Sequence, residues 1–321
     1  MNKSIRETQA FHNEFKGVLL EYTLGCLIAE DQSKIILHEK DFLNTVKLYQ
    51  NHLMGSDLNT YKSLPAIAKM MKDEVKKLYR DDLTTVELAG KKHISCWGEG
   101  DLKLNFNAAD SVLLSLKMIK NAAYVNTKSA GSYSFFSKYF LDEKAQKTFS
   151  KEITFSFEVF KKSLLDQYDV GTEGSFSDAL QTLAISDRPG SLSGNQKDLL
   201  FDFYESCLNS MTEELKNIIT YNSEQFILGL KKLCGFSESL SKLIFTYKNK
   251  DNLLVESSTY LERWEDYEIR SVKDIKILER KDSRSFITLS SRKVDIQFRI
   301  KPMNSFSTPG VKVNVSVKKK Y

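Results

Sequence analysis

Apolar residues recur at helical spacing over most of the first eighty positions. In residues 11–29, Phe15, Val18, Leu19, Tyr22 and Cys26 fall three or four apart, which predicts an amphipathic helix. Residues 40–53 read the same way. So do residues 64–79, where Leu64, Ile67, Met71, Val75 and Leu78 form one stripe. Ser63 is the expected N-cap of that third helix, with Pro65 in its first turn. Near residue 85 the helical period gives way to alternation. Residues 84–88 (TTVEL) predict a short strand. In residues 100–106, Leu102, Leu104 and Phe106 alternate with Lys103 and Asn105. A turn-like stretch, 107–110, separates them from a second strand, 111–119, and the two read as a hairpin. Residues 124–140 predict a Ser/Gly-rich loop that turns helical over 133–140. From 141 to 246 the pattern is helical, broken by a Gly/Ser/Pro-rich loop at 186–195. Beyond about 253 strands return, at 275–278, 285–289, 294–300 and 311–317.

The expected fold class is therefore α/β in the α+β sense. It has a mixed sheet core flanked by helices, a helical insertion and a β-rich C-terminal part. Composition narrows the function classes. Of 321 residues, 41% are hydrophobic and 28% charged, too apolar for a disordered chain. No apolar run approaches the roughly 20 residues of a membrane helix, and Met1 to His12 lack a secretory apolar segment. Cys26, Cys96, Cys207 and Cys234 are scattered, which favours reduced thiols and a cytoplasmic location. His93 and Cys96 have a metal-ligand spacing, but no second pair accompanies them, so a structural zinc site is set aside. The net charge of +5 is unevenly spread. Residues 273–321 hold thirteen Lys or Arg against four Asp or Glu, a net +9, leaving −4 for the rest. A basic block on an otherwise acidic chain suggests a polyanionic partner.

Candidate chemistry lies in the hairpin GDLKLNFNAADSVLLSLKMIK. Asp101 starts its first strand and Lys117 lies 16 residues on, near the end of the second. With a turn at 107–110 the two are expected to face each other across the ladder. Alternation puts Ser111, Leu113, Ser115 and Lys117 on one face, so a carboxylate, a hydroxyl and an ammonium converge. Such a group suits phosphodiester hydrolysis. Carboxylate and carbonyl oxygens hold a hard cation such as Mg²⁺, the cation activates water, and a lysine offsets developing charge. Leu116 would give its backbone carbonyl to the metal or point into the core.

Gly100-Asp101 followed by Ser115-Leu116-Lys117 resembles the PD-(D/E)xK nuclease superfamily, which includes many type II restriction endonucleases. There an Asp opens one strand and a (D/E)xK triplet lies on the next. Ser115 departs from that pattern, because the family has an acid there. The resemblance covers residues 64–140 and 294–317. It implies a restriction-endonuclease-like core, Mg²⁺ as cofactor, and sequence-specific hydrolysis of double-stranded DNA. It further implies a homodimer and a cognate DNA methyltransferase as genetic partner. The residues expected to act are Asp101, Lys117, Ser115 and Glu74, with Asp101, Leu116, Glu74 and Glu99 around the metal. Glu74 is the first choice for the missing acid, at about 60° from the centre of its helix's apolar stripe. Asp110 is placed at the turn, away from Asp101. On this reading residues 1–63 are an N-terminal helical region, 64–165 the nuclease-like core, 166–250 a helical region and 251–321 a β-rich basic region.

DNA contacts are expected from two places. Asn126, Thr127, Lys128 and Ser129 form a donor-rich loop after the hairpin, suited to phosphates. Arg299, Lys301, Asn304 and Lys312 lie in or beside the C-terminal strands, where Arg and Asn can read base edges. Two other classes fit the sequence: a non-catalytic DNA-binding or defence-regulatory protein that keeps the fold, and an RNA-binding or interaction module containing a hairpin.

Overall fold

A computed structural model describes residues 5–31, 35–37, 41–78, 82–88, 100–107, 110–120, 123–171, 174–237, 240–250, 253–278, 283–302 and 305–320. The chain divides into two units, residues 1–123 with 236–264, and residues 124–235 with 265–321. The first expected boundary, at 63, falls inside α3 (Leu58–Val75). The expected end of the core, at 165, falls within the second unit. The reason is pairing: a strand from beyond residue 240 joins the sheet of the first hairpin.

The first unit begins with α1 (Ile5–Asp31), β1 (Ile35–Leu37), α2 (Phe42–Ser56) and α3. Then come β2 (Leu83–Leu88), β3 (Leu102–Phe106) and β4 (Ser111–Lys120). After the second unit's first segment the chain returns as β6 (Leu240–Lys250) and β7 (Leu253–Glu262). The sheet order is β1-β2-β3-β4-β6-β7. β2, β3 and β4 form an antiparallel meander, and β6 lies parallel to β4. Leu24, Ile28, Met71, Leu88, Leu102, Leu104 and Phe245 are almost fully buried together. Removing one such Leu costs about 2–5 kcal/mol. Gly25 lets α1 approach the sheet, since a Cβ there would lie 2.8 Å from Leu88 Cδ2 and 3.3 Å from Leu102 Cδ2.

Two sequence expectations change here. The cap of α3 is Asp57, whose carboxylate accepts from Thr60 N at 3.0 Å and Thr60 Oγ1 at 2.6 Å, and Pro65 sits inside the helix. Residues 240–246, expected to be helical, are strand. Their side chains from Leu240 to Phe245, Ser241 and Lys242 included, are buried on both faces, so no polar-apolar alternation marks the strand.

The second unit contains β5 (Val125–Gly131), α4 (Phe135–Phe140), α5 (Glu143–Asp166), α6 (Phe176–Thr182), α7 (Gly194–Tyr221) and α8 (Ser223–Leu233). β8 (Lys276–Leu278), β9 (Phe286–Ser290), β10 (Val294–Pro302) and β11 (Val311–Lys319) follow. Its sheet, ordered β5-β11-β10-β9-β8, is antiparallel throughout. Residues 125–131, expected to be loop, pair with β11 instead. A neighbouring edge supplied from the C-terminus overrides their weak strand propensity. Phe135, Phe136, Phe140, Phe149, Phe226 and Phe298 pack ring against ring on the covered side. α8 lies so close to α4 that a Cβ on Gly229 would stand 2.6 Å from the Tyr139 carbonyl oxygen. Among the described residues no helix is long and apolar enough to cross a membrane.

Candidate functional site

The β3–β4 ladder pairs Leu102 with Leu114 and Asn105 with Ser111. Carrying that register one step further sets Asp101 beside Ser115. Asp101 N donates to Leu114 O at 2.8 Å. The Asp101 carboxylate accepts from Leu116 N at 2.6 Å and from Ser115 Oγ at 3.3 Å. The residue across from Asp101 is therefore Ser115, and Lys117 comes two positions later on the same face, a correction of one pleat. β4 begins at Ser111 as expected, but Asn105 pairs with Ser111 and Leu102 with Leu114, which brings Asp101 to Ser115. Within a strand the N–H and C=O of one residue point to the same edge. The Leu116 carbonyl thus faces the edge on which its N–H meets Asp101. Lys103 and Asn105, on the Asp101 face, are engaged by Glu87 of β2.

Glu74 forms an ion pair with Lys77 one turn on. Glu99 lies outside the described residues, as do His93 and Cys96. The carboxyl that interacts with both Asp101 and Lys117 is Glu21 of α1. Burial pushes its pKa well above the ordinary value, the Asp101 charge pushes it further, and the Lys117 ammonium pulls it back. Glu21 stands one turn before Gly25, at the close approach of α1 to Leu88 and Leu102, and Leu102 directly follows Asp101. Sequence reasoning missed it, although a charge among Leu20, Leu24, Gly25 and Ile28 was a usable signal.

Asp101 and Glu21 interact electrostatically with Lys117 beside them, and the donors here are hard oxygens. The set fits a divalent hard cation. Among the described residues no three His, Cys, Asp or Glu cluster as a self-sufficient metal cage. A cation here would complete its shell with the Leu116 carbonyl, water and phosphate oxygens.

The second unit presents a different surface. Arg299 and Lys301 are exposed on β10, and Phe298 and Ile300 are buried beneath. Register places Arg299 opposite Asn314 and Lys301 opposite Lys312. The Arg299 guanidinium donates to Gln297 Oε1 at 3.2 Å and lies 5.4 Å from the Phe286 ring centroid. Ser129 Oγ donates to Asn314 Oδ1 at 2.8 Å. Desolvation lowers the Lys301 pKa, and the charges of Lys312 and Arg299 lower it further. Among the described residues no carboxylate is paired with these three cations. Asn126 is exposed on β5. Lys128 stands opposite Val315, at a register shift in the ladder. Thr127 is removed from the expected contacts: it is 5% exposed and its hydroxyl lies 2.8 Å from Leu233 O and 3.1 Å from Val315 O. Asn304 lies outside the described residues.

No family model matches the chain, and no curated protein matches its sequence. Among solved structures, the restriction endonuclease MspI in complex with its cognate DNA is similar over 83% of each chain, at 11% identity and a TM-score of 0.26. A likeness that slight carries no argument about fold or function.

Proposed function

We propose that this chain is a Mg²⁺-dependent endonuclease that hydrolyses phosphodiester bonds of double-stranded DNA at specific sequences, in the manner of type II restriction enzymes. The observation that carries the reading is the electrostatic coupling of buried Glu21 to Asp101 and Lys117, with Ser115 donating to the Asp101 carboxylate at one end of a three-stranded meander. Asp101, Glu21 and the Leu116 carbonyl would hold the metal. When bound, Mg²⁺ supplies an acidified water and stabilises negative charge on phosphate. Leu116 N–H and Ser115 fix the direction of the Asp101 carboxylate. Lys117 orients the attacking water and offsets charge as the P–O bond breaks. Glu74 and Glu99 remain the alternative acid donors proposed from sequence.

Arg299, Lys301, Lys312, Asn126 and Ser129 supply phosphate and base contacts in this reading. A homodimer would match a palindromic target, and a DNA methyltransferase encoded nearby would protect the host. The test is incubation with plasmid and phage DNA plus Mg²⁺. Discrete bands support a restriction enzyme, and a smear supports an unspecific nuclease. DNA binding without cleavage supports the second reading, a non-catalytic DNA-binding or defence-regulatory protein. That reading is favoured by the hydroxyl of Ser115 standing where the family pattern has a carboxylate.

A further inference from the structure

β6 and β7 bring a second charged pair to the same sheet. Lys242 is opposite Ser115 in the parallel β4–β6 register, and Glu262 is opposite Lys242 in the antiparallel β6–β7 register. One row of polar side chains therefore crosses four strands: Asp101, Ser115, Lys242 and Glu262. Its last three members are buried. The Lys242 and Glu262 side chains are 1% and 2% exposed, and their Nζ and Oε2 atoms are 3.8 Å apart. Lys242 Nζ also lies 4.0 Å from the centre of the Phe236 ring.

Stability does not account for this pair. Burying each charge costs several kcal/mol, and apolar residues of equal volume are often neutral or better. Their separation of 3.8 Å exceeds the roughly 2.7–2.9 Å of a strong charge-assisted hydrogen bond. Its placement has a chemical consequence instead. A cation beside a hydroxyl draws the oxygen and turns the O–H bond away. The Ser115 O–H, next in the row to Lys242, points the other way, to the Asp101 carboxylate at 3.3 Å. A carboxylate at 115 would compete with Glu262 for Lys242, which gives a reason for a neutral residue there.

We propose that Lys242, held by Glu262 and Phe236, is a positioning residue of the site: through Ser115 it fixes the Asp101 carboxylate for metal and phosphate. The proposal rests on the nuclease reading above and deepens it.

The test is a mutant cycle combining Lys242→Met/Glu262→Leu with Ser115→Ala. Thermal unfolding, Mn²⁺ titration calorimetry, and kcat and KM on a duplex substrate are the readouts. The paired variant is expected to keep its melting temperature and its KM. It should lose about tenfold or more in kcat and bind Mn²⁺ more weakly, the pattern of a lost transition-state interaction. Ser115→Ala should cost activity in the native chain and little more in the paired variant, because both act through one hydroxyl. Native kcat in the paired variant, or losses that simply add, would overturn the proposal while leaving the nuclease reading intact. A native protein that neither cleaves DNA nor binds Mn²⁺ overturns the nuclease reading first, and this proposal with it. If the paired variant does not fold, Glu262→Asp, which keeps the charge but shortens its reach, takes its place in the cycle and is judged by the same outcomes.

Discussion

The two sheets treat positive charge in opposite ways. In the first unit Lys242 is buried against a carboxylate and an aromatic ring, and Lys103 is paired with Glu87. In the second, Arg299, Lys301 and Lys312 crowd together with no carboxylate paired to them among the described residues. Like charges directly opposite across a ladder are destabilising. A fold keeps such an arrangement where something outside supplies the anion. The difference teaches that placement outweighs number. The first sheet pairs its cations, and the second leaves three together, which the proposed function assigns to the phosphates of DNA.

The largest effects should come from breaking the first sheet's geometry. Asp101→Asn and Lys117→Ala should each reduce cleavage by at least about a hundredfold, with unchanged circular dichroism, since an Asn oxygen still accepts from Leu116 N. Near-native cleavage by either variant would remove the proposed site. Next, Glu21→Gln should lose about ten- to a hundredfold of activity, while Glu74→Gln stays within about twofold, because Lys77 already occupies that carboxylate. The reverse order in a cleavage assay would return the acid role to α3.

Stability separates the units further. Gly229→Ala drives a Cβ against a backbone oxygen and should cost about 3 kcal/mol or more in denaturant unfolding. Gly25→Ala meets only leucine methyl ends and gains about 1 kcal/mol of helix propensity, so its cost should be smaller. It displaces Glu21, however, so activity should fall more than stability. A Gly25→Ala variant at full activity would show that the close approach of α1 is irrelevant to the site.

The basic face yields smaller changes. Lys301→Ala or Lys312→Ala should weaken binding to all duplexes alike and reduce the salt slope by about one unit each. Arg299→Ala should instead relax discrimination at one base pair by about 1–3 kcal/mol. Titrations on cognate and single-mismatch duplexes at several salt concentrations decide between them. The smallest effect concerns pH. Lys301 has a folded-state pKa below its unfolded value, so folding penalises its charged form. That penalty is present below the folded pKa and disappears as pH rises towards the ordinary lysine value. Melting temperatures of the native chain and Lys301→Met should therefore differ at neutral pH and converge in the alkaline range. A constant difference across that range would show that the ionisation of Lys301, penalised first by desolvation and then by its cationic neighbours, is not its cause.

Much of the first sheet was legible. The alternation of Leu102, Leu104 and Phe106, with the turn after it, located the hairpin and set Asp101 against its second strand, although opposite Lys117 rather than Ser115. Glu21 was not, because no local period says which of three amphipathic helices lies over a given strand end. Nor were Lys242 and Glu262, because β6 joins β4, and β7 joins β6, only through pairing with strands distant in sequence from the hairpin. β5 escaped notice for a related reason. Its Ser and Gly residues become strand only because β11, from the far end of the chain, lies beside them.

The parallel pairing of β4 with β6 also sets an order of events. Leu113 and Leu240 are neighbours in the sheet, yet most of the second unit is synthesised between them. Closing so long a loop is an entropic cost met before its contacts form, and non-local parallel pairing is slow. A nascent chain can therefore hold Glu21, Asp101, Ser115 and Lys117 while still lacking the strand that backs them. The end of the meander that carries Asp101 and Ser115 is finished only after Glu262 has arrived, so the competence of the proposed site is a late product of folding.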